Sequence, residues 1–162
     1  MNDADRCILD HFAGVRNRTI ELAERIPAEL LERTPPGEHW SLFWHLVHIA
    51  DGPDWWMTHV LKDGGTWQWS PPYASGREGL LRGLAASRDR VVRFFAAEDG
   101  RRMAETFAFT EGDGSASRFI GRDRVLYLTD HDTHHRGRIL LALMQWGFED
   151  LPGDENLWPP TA

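Results

Sequence analysis

His131-Asp132-Thr133-His134-His135-Arg136-Gly137-Arg138 lies inside a longer run, Arg124 to Trp146, whose apolar residues recur at three- and four-residue intervals. That period is the period of one face of an α-helix, so the run reads as a single long helix. On such a helix positions i and i+4 stack on one face. His131 and His135 are such a pair, and two imidazoles one turn apart can point at a common ion. The glutamate that follows the first histidine of zinc-protease helices is absent; Asp132 stands there instead. The stretch is therefore a two-ligand half-site that needs a third ligand from another element.

Three further runs share the helical period. Asp3 to about Ile26 carries Ile8, Phe12, Val15, Leu22 and Ile26 on one stripe, followed by a short helix after Pro27. Ser41 can cap a helix that runs to about Leu61, with a kink or break expected at Gly52-Pro53 because proline removes a backbone donor and crowds the preceding turn. Ser75-Gly76-Arg77-Glu78 reads as a capping box for a helix bearing Leu80, Leu84, Val91 and Phe95, which Asp99-Gly100 stops. Thr66 to Ala74 reads as a loop, and the proline-bearing tail from Phe148 as irregular. Between the third and fourth long helices, Thr106-Phe107-Ala108-Phe109 alternates and Glu111-Gly112-Asp113-Gly114 is turn-like, which predicts a short hairpin or extended loop. Four amphipathic helices point to an all-α four-helix bundle, with long crossover connections and that hairpin or loop before the last helix. The length, 162 residues, fits one domain over 1–162 with a full core.

Composition narrows the function classes. A net charge of −7 argues against nucleic-acid binding, which draws on a basic patch. The single cysteine, Cys7, permits no internal disulfide, and no 18-residue apolar run or signal-like N-terminus is seen, so the expectation is a cytoplasmic protein that neither spans nor binds a membrane. The second long helix holds His45 and His48, three apart and roughly on one face, and either can complete a three-histidine site if it packs beside the last helix. Three protein ligands leave a position for water or substrate, the pattern of catalytic sites. Of eight tryptophans, Trp40, Trp44, Trp55 and Trp56 crowd near this second cluster, so part of that aromatic surface is a candidate pocket wall, with Trp44 and Trp56 as candidate substrate contacts.

Trp40-Ser41, His45-Leu46-Val47-His48-Ile49-Ala50-Asp51 and the octapeptide from His131 to Arg138 together resemble the DinB (YfiT-like) metal-binding four-helix bundles, over nearly the whole chain. The resemblance implies His48, His131 and His135 as ligands of a divalent metal, often Zn or Ni, and frequently a homodimer. It also implies thiol S-transfer with a low-molecular-weight thiol such as mycothiol or bacillithiol, or a related hydrolysis, on a small electrophilic molecule. The alternative is a metal-binding stress-response dimer without turnover. No catalytic residue is assigned. The family's usual glutamine after Arg136-Gly137 is here Arg138, seven residues after His131 and so close to the site's face; a fixed positive charge there would favour an anionic substrate or simply pair with an acid. Asp51 and Asp132 are candidates to orient the ligand imidazoles by accepting their second N–H. His134 points about 100° away from His135 and is expected at the surface.

Overall fold

A computed structural model describes residues 1–67 and 75–151; the rest of the 66–74 loop and the proline-bearing tail fall outside the described residues. The chain forms α1 (Asp3–Arg25), a one-turn α2 (Ala28–Leu31), α3 (Leu42–His59), α4 (Arg77–Ala96), a 3-10 segment (Glu98–Met103), an antiparallel hairpin of β1 (Thr106–Thr110) and β2 (Ala116–Ile120), and α5 (Gly121–Gln145). The four long helices make the expected all-α bundle. α1 packs on α4 and α5, and α3 packs on the same two, so α1 lies diagonal to α3 and α4 diagonal to α5. Both the link through α2 and the link through the hairpin therefore cross the bundle end. No helix among the described residues is long and apolar enough to span a membrane.

Local chemistry explains the helix ends. Asn2 caps α1 by accepting from the Asp5 backbone N–H at 2.8 Å. The helix stops at the residue before Pro27, where the α conformation is disfavoured. Ser41 caps α3 as expected, accepting from Trp44 N at 3.4 Å. The capping box expected at Ser75 does not form: Gly76 (φ 111°) is the cap of α4 and makes no side-chain cap bond, so Glu78 is one position too early in the helix to reach back. Arg77 fixes that end instead, donating to the carbonyls of Glu24 and Ile26 at the terminus of α1. Gly147 (φ 74°) ends α5 with the paired bonds Phe148 N–Leu143 O and Gly147 N–Met144 O, each 3.0 Å.

Pro53 does not break α3, contrary to one branch of the expectation; it is buried within a continuous helix. Proline leaves the carbonyl four residues earlier, that of Ile49, without its helical donor. The structure answers with Arg16 from α1, whose Nη2 donates to Ile49 O at 2.9 Å. Arg16 is fully buried, as is Asp132, which accepts from its Nε at 2.5 Å. Arg16 Nη1 also donates to Ser87 Oγ of α4 at 2.6 Å, and Thr19 Oγ1 donates to the other Asp132 oxygen. One guanidinium thus ties all four helices.

This polar layer divides the core. On one side Leu22, Leu42, Leu46, Leu80, Leu84, Ile139 and Leu143 form an apolar cluster. On the other, Leu9, Phe12, Met57, Val91, Phe95, Met103, Val125 and Leu128 form a second. On α5 the sequence Leu128–Asp132–His135–Ile139 passes from one cluster through the polar layer to the other, so the histidines sit at mid-height between two dry regions.

Candidate metal centre

The α3–α5 contact brings together the three histidines named above. One ring nitrogen each from His48, His131 and His135 lie within 4.8 Å of one another, and His48 Nε2 faces His131 Nε2 at 2.9 Å. The α5 pair meets because its members are one turn apart; His48 joins them because α3 packs on α5. Gly52 of α3 lies beside the His131 ring, where a Cβ would stand 3.4 Å from Cε1, in ordinary van der Waals contact.

Burial dominates the electrostatics. It lowers the pKa of His131 to about 4, with His48 adding to the effect, and that of His135 to about 3, with His131 and His48 adding. Burial also lowers His48 and His45, opposed by Asp51 and Glu38 respectively. These imidazoles are therefore neutral near pH 7, and each offers a lone pair, the state a metal ligand requires. Tetrahedral coordination at about 2.0–2.1 Å places ligand nitrogens roughly 3.3 Å apart, a value between the 2.9 Å of the His48–His131 pair and the 4.8 Å that bounds the set. The donor set fits a divalent transition metal.

His45 stands apart from the three yet touches them. It is buried, and its Nδ1 lies 3.1 Å from His135 Nδ1. That contact engages the inner nitrogen of His135 and leaves Nε2 for an ion. His45 Nε2 is buried without a hydrogen-bond partner, 3.9 Å from a Glu38 carboxylate oxygen. Arg138 donates to Glu38. The residues form a file, Arg138–Glu38–His45–His135, that ends on a candidate ligand. Trp40, 41% exposed, lies over the cluster with ring centroids 4.8 Å from His48, 5.5 Å from His45 and 6.2 Å from His135.

The histidines open into a cavity of about 310 Å³ whose walls include Asp51, Trp55, Trp56 and Tyr127. Trp56 is thus in the wall. Trp44 is not: it is 46% exposed and its ring contact is with Phe43. Arg138 is exposed and paired with Glu38, the second of the two roles its charge allowed. The expectation for Asp132 is corrected. It is rotated about 100° from His131 along the helix, so its carboxylate faces the bundle axis and is taken by Arg16 and Thr19 rather than by an imidazole. Asp51 lines the cavity, its charge acts on His48, and it accepts from the Trp67 indole N–H at 2.6 Å. His134 is exposed, with an edge-on ring contact to His135.

Tyr127 was not foreseen from the sequence, and His45 and Trp40, named there as a rival ligand and a candidate wall residue, take roles beside the ligands that it did not give them. Tyr127, four residues before His131 and stacked near it at 6.3 Å, was findable by the same helical count. Trp40 precedes the helix, and His45 differs from His48 by less than a turn, so neither role has a sequence signal of its own.

The comparisons with known proteins agree with this geometry. The family model described as "DinB family" matches residues 1–160. Among solved structures, the chain is similar to a DinB-like protein, YjoA, from Bacillus subtilis, with a TM-score of 0.65 and 17% identity over 90% of this chain and 96% of that one. At that identity the likeness speaks for the fold. No curated protein matches the sequence. With a family match over nearly its whole length and the fold to go with it, the chain belongs to the DinB family.

Proposed function

We propose that the chain is a metal-dependent enzyme that joins a thiol, or water, to a small electrophilic molecule. The observation that carries this reading is the convergence of three neutral imidazoles at one end of an aromatic-walled cavity. His48, His131 and His135 would hold the cation, Zn or Ni by the family resemblance. A divalent cation with an open position lowers the pKa of a thiol or water placed there, which makes a nucleophile near neutral pH.

The chain's own residues do the rest. His45 holds His135 by its Nδ1 and so fixes which nitrogen faces the ion; ligand histidines are commonly oriented in this way by a partner on the second ring nitrogen. Trp55, Trp56 and Tyr127 exclude water beside the histidines and give an apolar substrate part a flat surface. Asp51 adds a carboxylate within reach of the cavity. In thiol transfer the sulfur forms a bond to the electrophilic carbon as the bond to the leaving group breaks, and the thiol proton leaves to solvent or to a cavity base. Leu141 and Met144 stand exposed on α5, which suits a homodimer that covers them.

The test is elemental analysis of untagged protein, followed by assay of the metal-loaded protein with low-molecular-weight thiols and electrophiles. About one divalent ion per chain is expected, lost in His48→Ala, His131→Ala and His135→Ala and kept in His134→Ala. Full occupancy in every variant would remove the metal; a loaded protein inert to all thiol and electrophile pairs would leave a binding protein.

A further inference from the structure

A second cavity lies beside the histidine cavity, with Tyr127 in the lining of both. It measures about 370 Å³, shares the walls made by Trp55, Trp56 and Tyr127 and is completed by the hairpin, through Phe109 and Phe119, and by Arg124 of α5. The guanidinium carbon of Arg124 lies 3.5 Å from the Trp56 ring centroid, 4.3 Å from that of Phe119 and 4.6 Å from that of Tyr127. Ring faces attract a cation. Trp56 and Phe119 stand at 88° to each other, so a guanidinium over both can offer N–H groups to a ring face only as weak N–H···π contacts, which do not replace an oxygen acceptor.

Those donors meet no oxygen acceptor among the described residues. Among the described residues Arg124 makes no hydrogen bond or ion pair, and its Nε–H is buried and unmatched. Other arginines near the bundle core are matched: Arg16 by Asp132, Arg90 by Asp54 and Asp63, Arg138 by Glu38. Arg18 and Arg102 also have an unmatched Nε, but neither lines either cavity. A buried donor without a partner calls for an explanation, and here its side chain lines a cavity that shares an aromatic wall with the histidine cavity. The positive charge that the sequence placed on Arg138 is paired there with Glu38; Arg124 has no such ion pair, and Glu111 in the same cavity acts on it through charge alone.

We propose that Arg124 is an anion subsite that takes the carboxylate of a small organic acid whose flat apolar body lies along Trp56 and Tyr127 and points its far end at His131. Arg124 and His131 are seven residues apart on one helix, roughly 10 Å along its axis, the span of an aromatic ring with a short side chain once the guanidinium–carboxylate contact is included. The planar fork of arginine matches a carboxylate. Glu111 lines the same cavity and accepts from Ser117 Oγ at 2.6 Å; its negative charge favours a monoanion over a dianionic phosphate. The placement of the far end, though not the subsite itself, rests on the function proposed above.

The experiment uses the full chain loaded with cobalt(II), with 3-phenylpropionate and its neutral amide as probes. Calorimetry should show the acid binding more tightly than the amide. Arg124→Met should weaken the acid at least tenfold and leave the amide unchanged. Arg124→Lys, which keeps the charge but not the fork, should fall between, and it serves if Arg124→Met does not fold. Paramagnetic relaxation should be strongest for the ring protons farthest from the carboxylate. Equal affinity for acid and amide, or an acid affinity unchanged by either variant, overturns the subsite. Strongest relaxation at the protons next to the carboxylate also overturns it, since the acid would then sit on the metal. If no cobalt binds, the metal reading fails, while the acid-against-amide comparison still decides Arg124.

Discussion

Replacing Arg16 with Met isolates the interaction that holds the bundle at the height of the histidines. The side chain keeps its apolar stem but loses every donor. Asp132, fully buried, keeps only the Thr19 hydroxyl, and the Ile49 carbonyl that Pro53 had already deprived of its helical partner loses Arg16 as well. Removing one member of a buried pair costs about 3–5 kcal/mol, against a total of roughly 5–15 kcal/mol for a domain. For a chain of this size about 2–4 °C is lost per kcal/mol, so the melting temperature should fall by roughly 6–20 °C. Urea titration followed by circular dichroism checks this: the midpoint should drop with little change in slope. The pair itself should contribute little, because its desolvation nearly cancels its attraction. Hence Arg16→Met with Asp132→Leu should recover most of the loss, giving a coupling of about 2 kcal/mol or more between sites in contact. A single-variant loss under about 1 kcal/mol, or a double variant as weak as the sum of the singles, would refute the reasoning.

Three further outcomes are expected. In metal-free protein, His131 and His135 have pKa values depressed to about 4 and about 3, below the unfolded value of about 6.5; their contribution to stability is complete above the unfolded value and is lost as pH falls from there toward 4 and 3, because the unfolded chain takes up protons first. NMR titration of the ring protons checks it, and midpoints near 6.5 for both would contradict the burial argument. His45→Ala should lower metal affinity by about 10–100-fold through loss of the contact that orients His135. His45→Gln, whose amide can still meet Nδ1, should restore much of it, and long-range nitrogen–proton spectra should report the His135 tautomer; unchanged affinity and tautomer in His45→Ala would leave it a packing residue. Gly121→Ala should destabilise the chain although alanine favours helices by about 1 kcal/mol, because its Cβ would collide with the backbone carbonyl of Arg102; the net loss, about 1–3 kcal/mol, is measurable by denaturant titration, and a stabilised variant would show that the 3-10 segment yields.

The sequence by itself determined what depends on neighbours along the chain. Helical period fixed the four long helices, the His131–His135 pair and the exposure of His134, since a turn of helix is the same wherever it occurs. Alternation and turn residues located the hairpin. The choice of His48 over His45 came from the family's motif, because three residues on a helix separate two directions too little for spacing to decide. Only tertiary structure decided what depends on the facing element. Asp132 looked like an imidazole partner until Arg16, 116 residues away, was found beside it. Pro53 looked like a break until the same guanidinium replaced its missing donor. Arg138 and Arg124 are both arginines on one helix face or near it. Glu38 pairs with the first, while aromatic rings surround the second, which has no ion pair among the described residues, and no period in the sequence distinguishes a cation that has found its anion from one still facing a cavity.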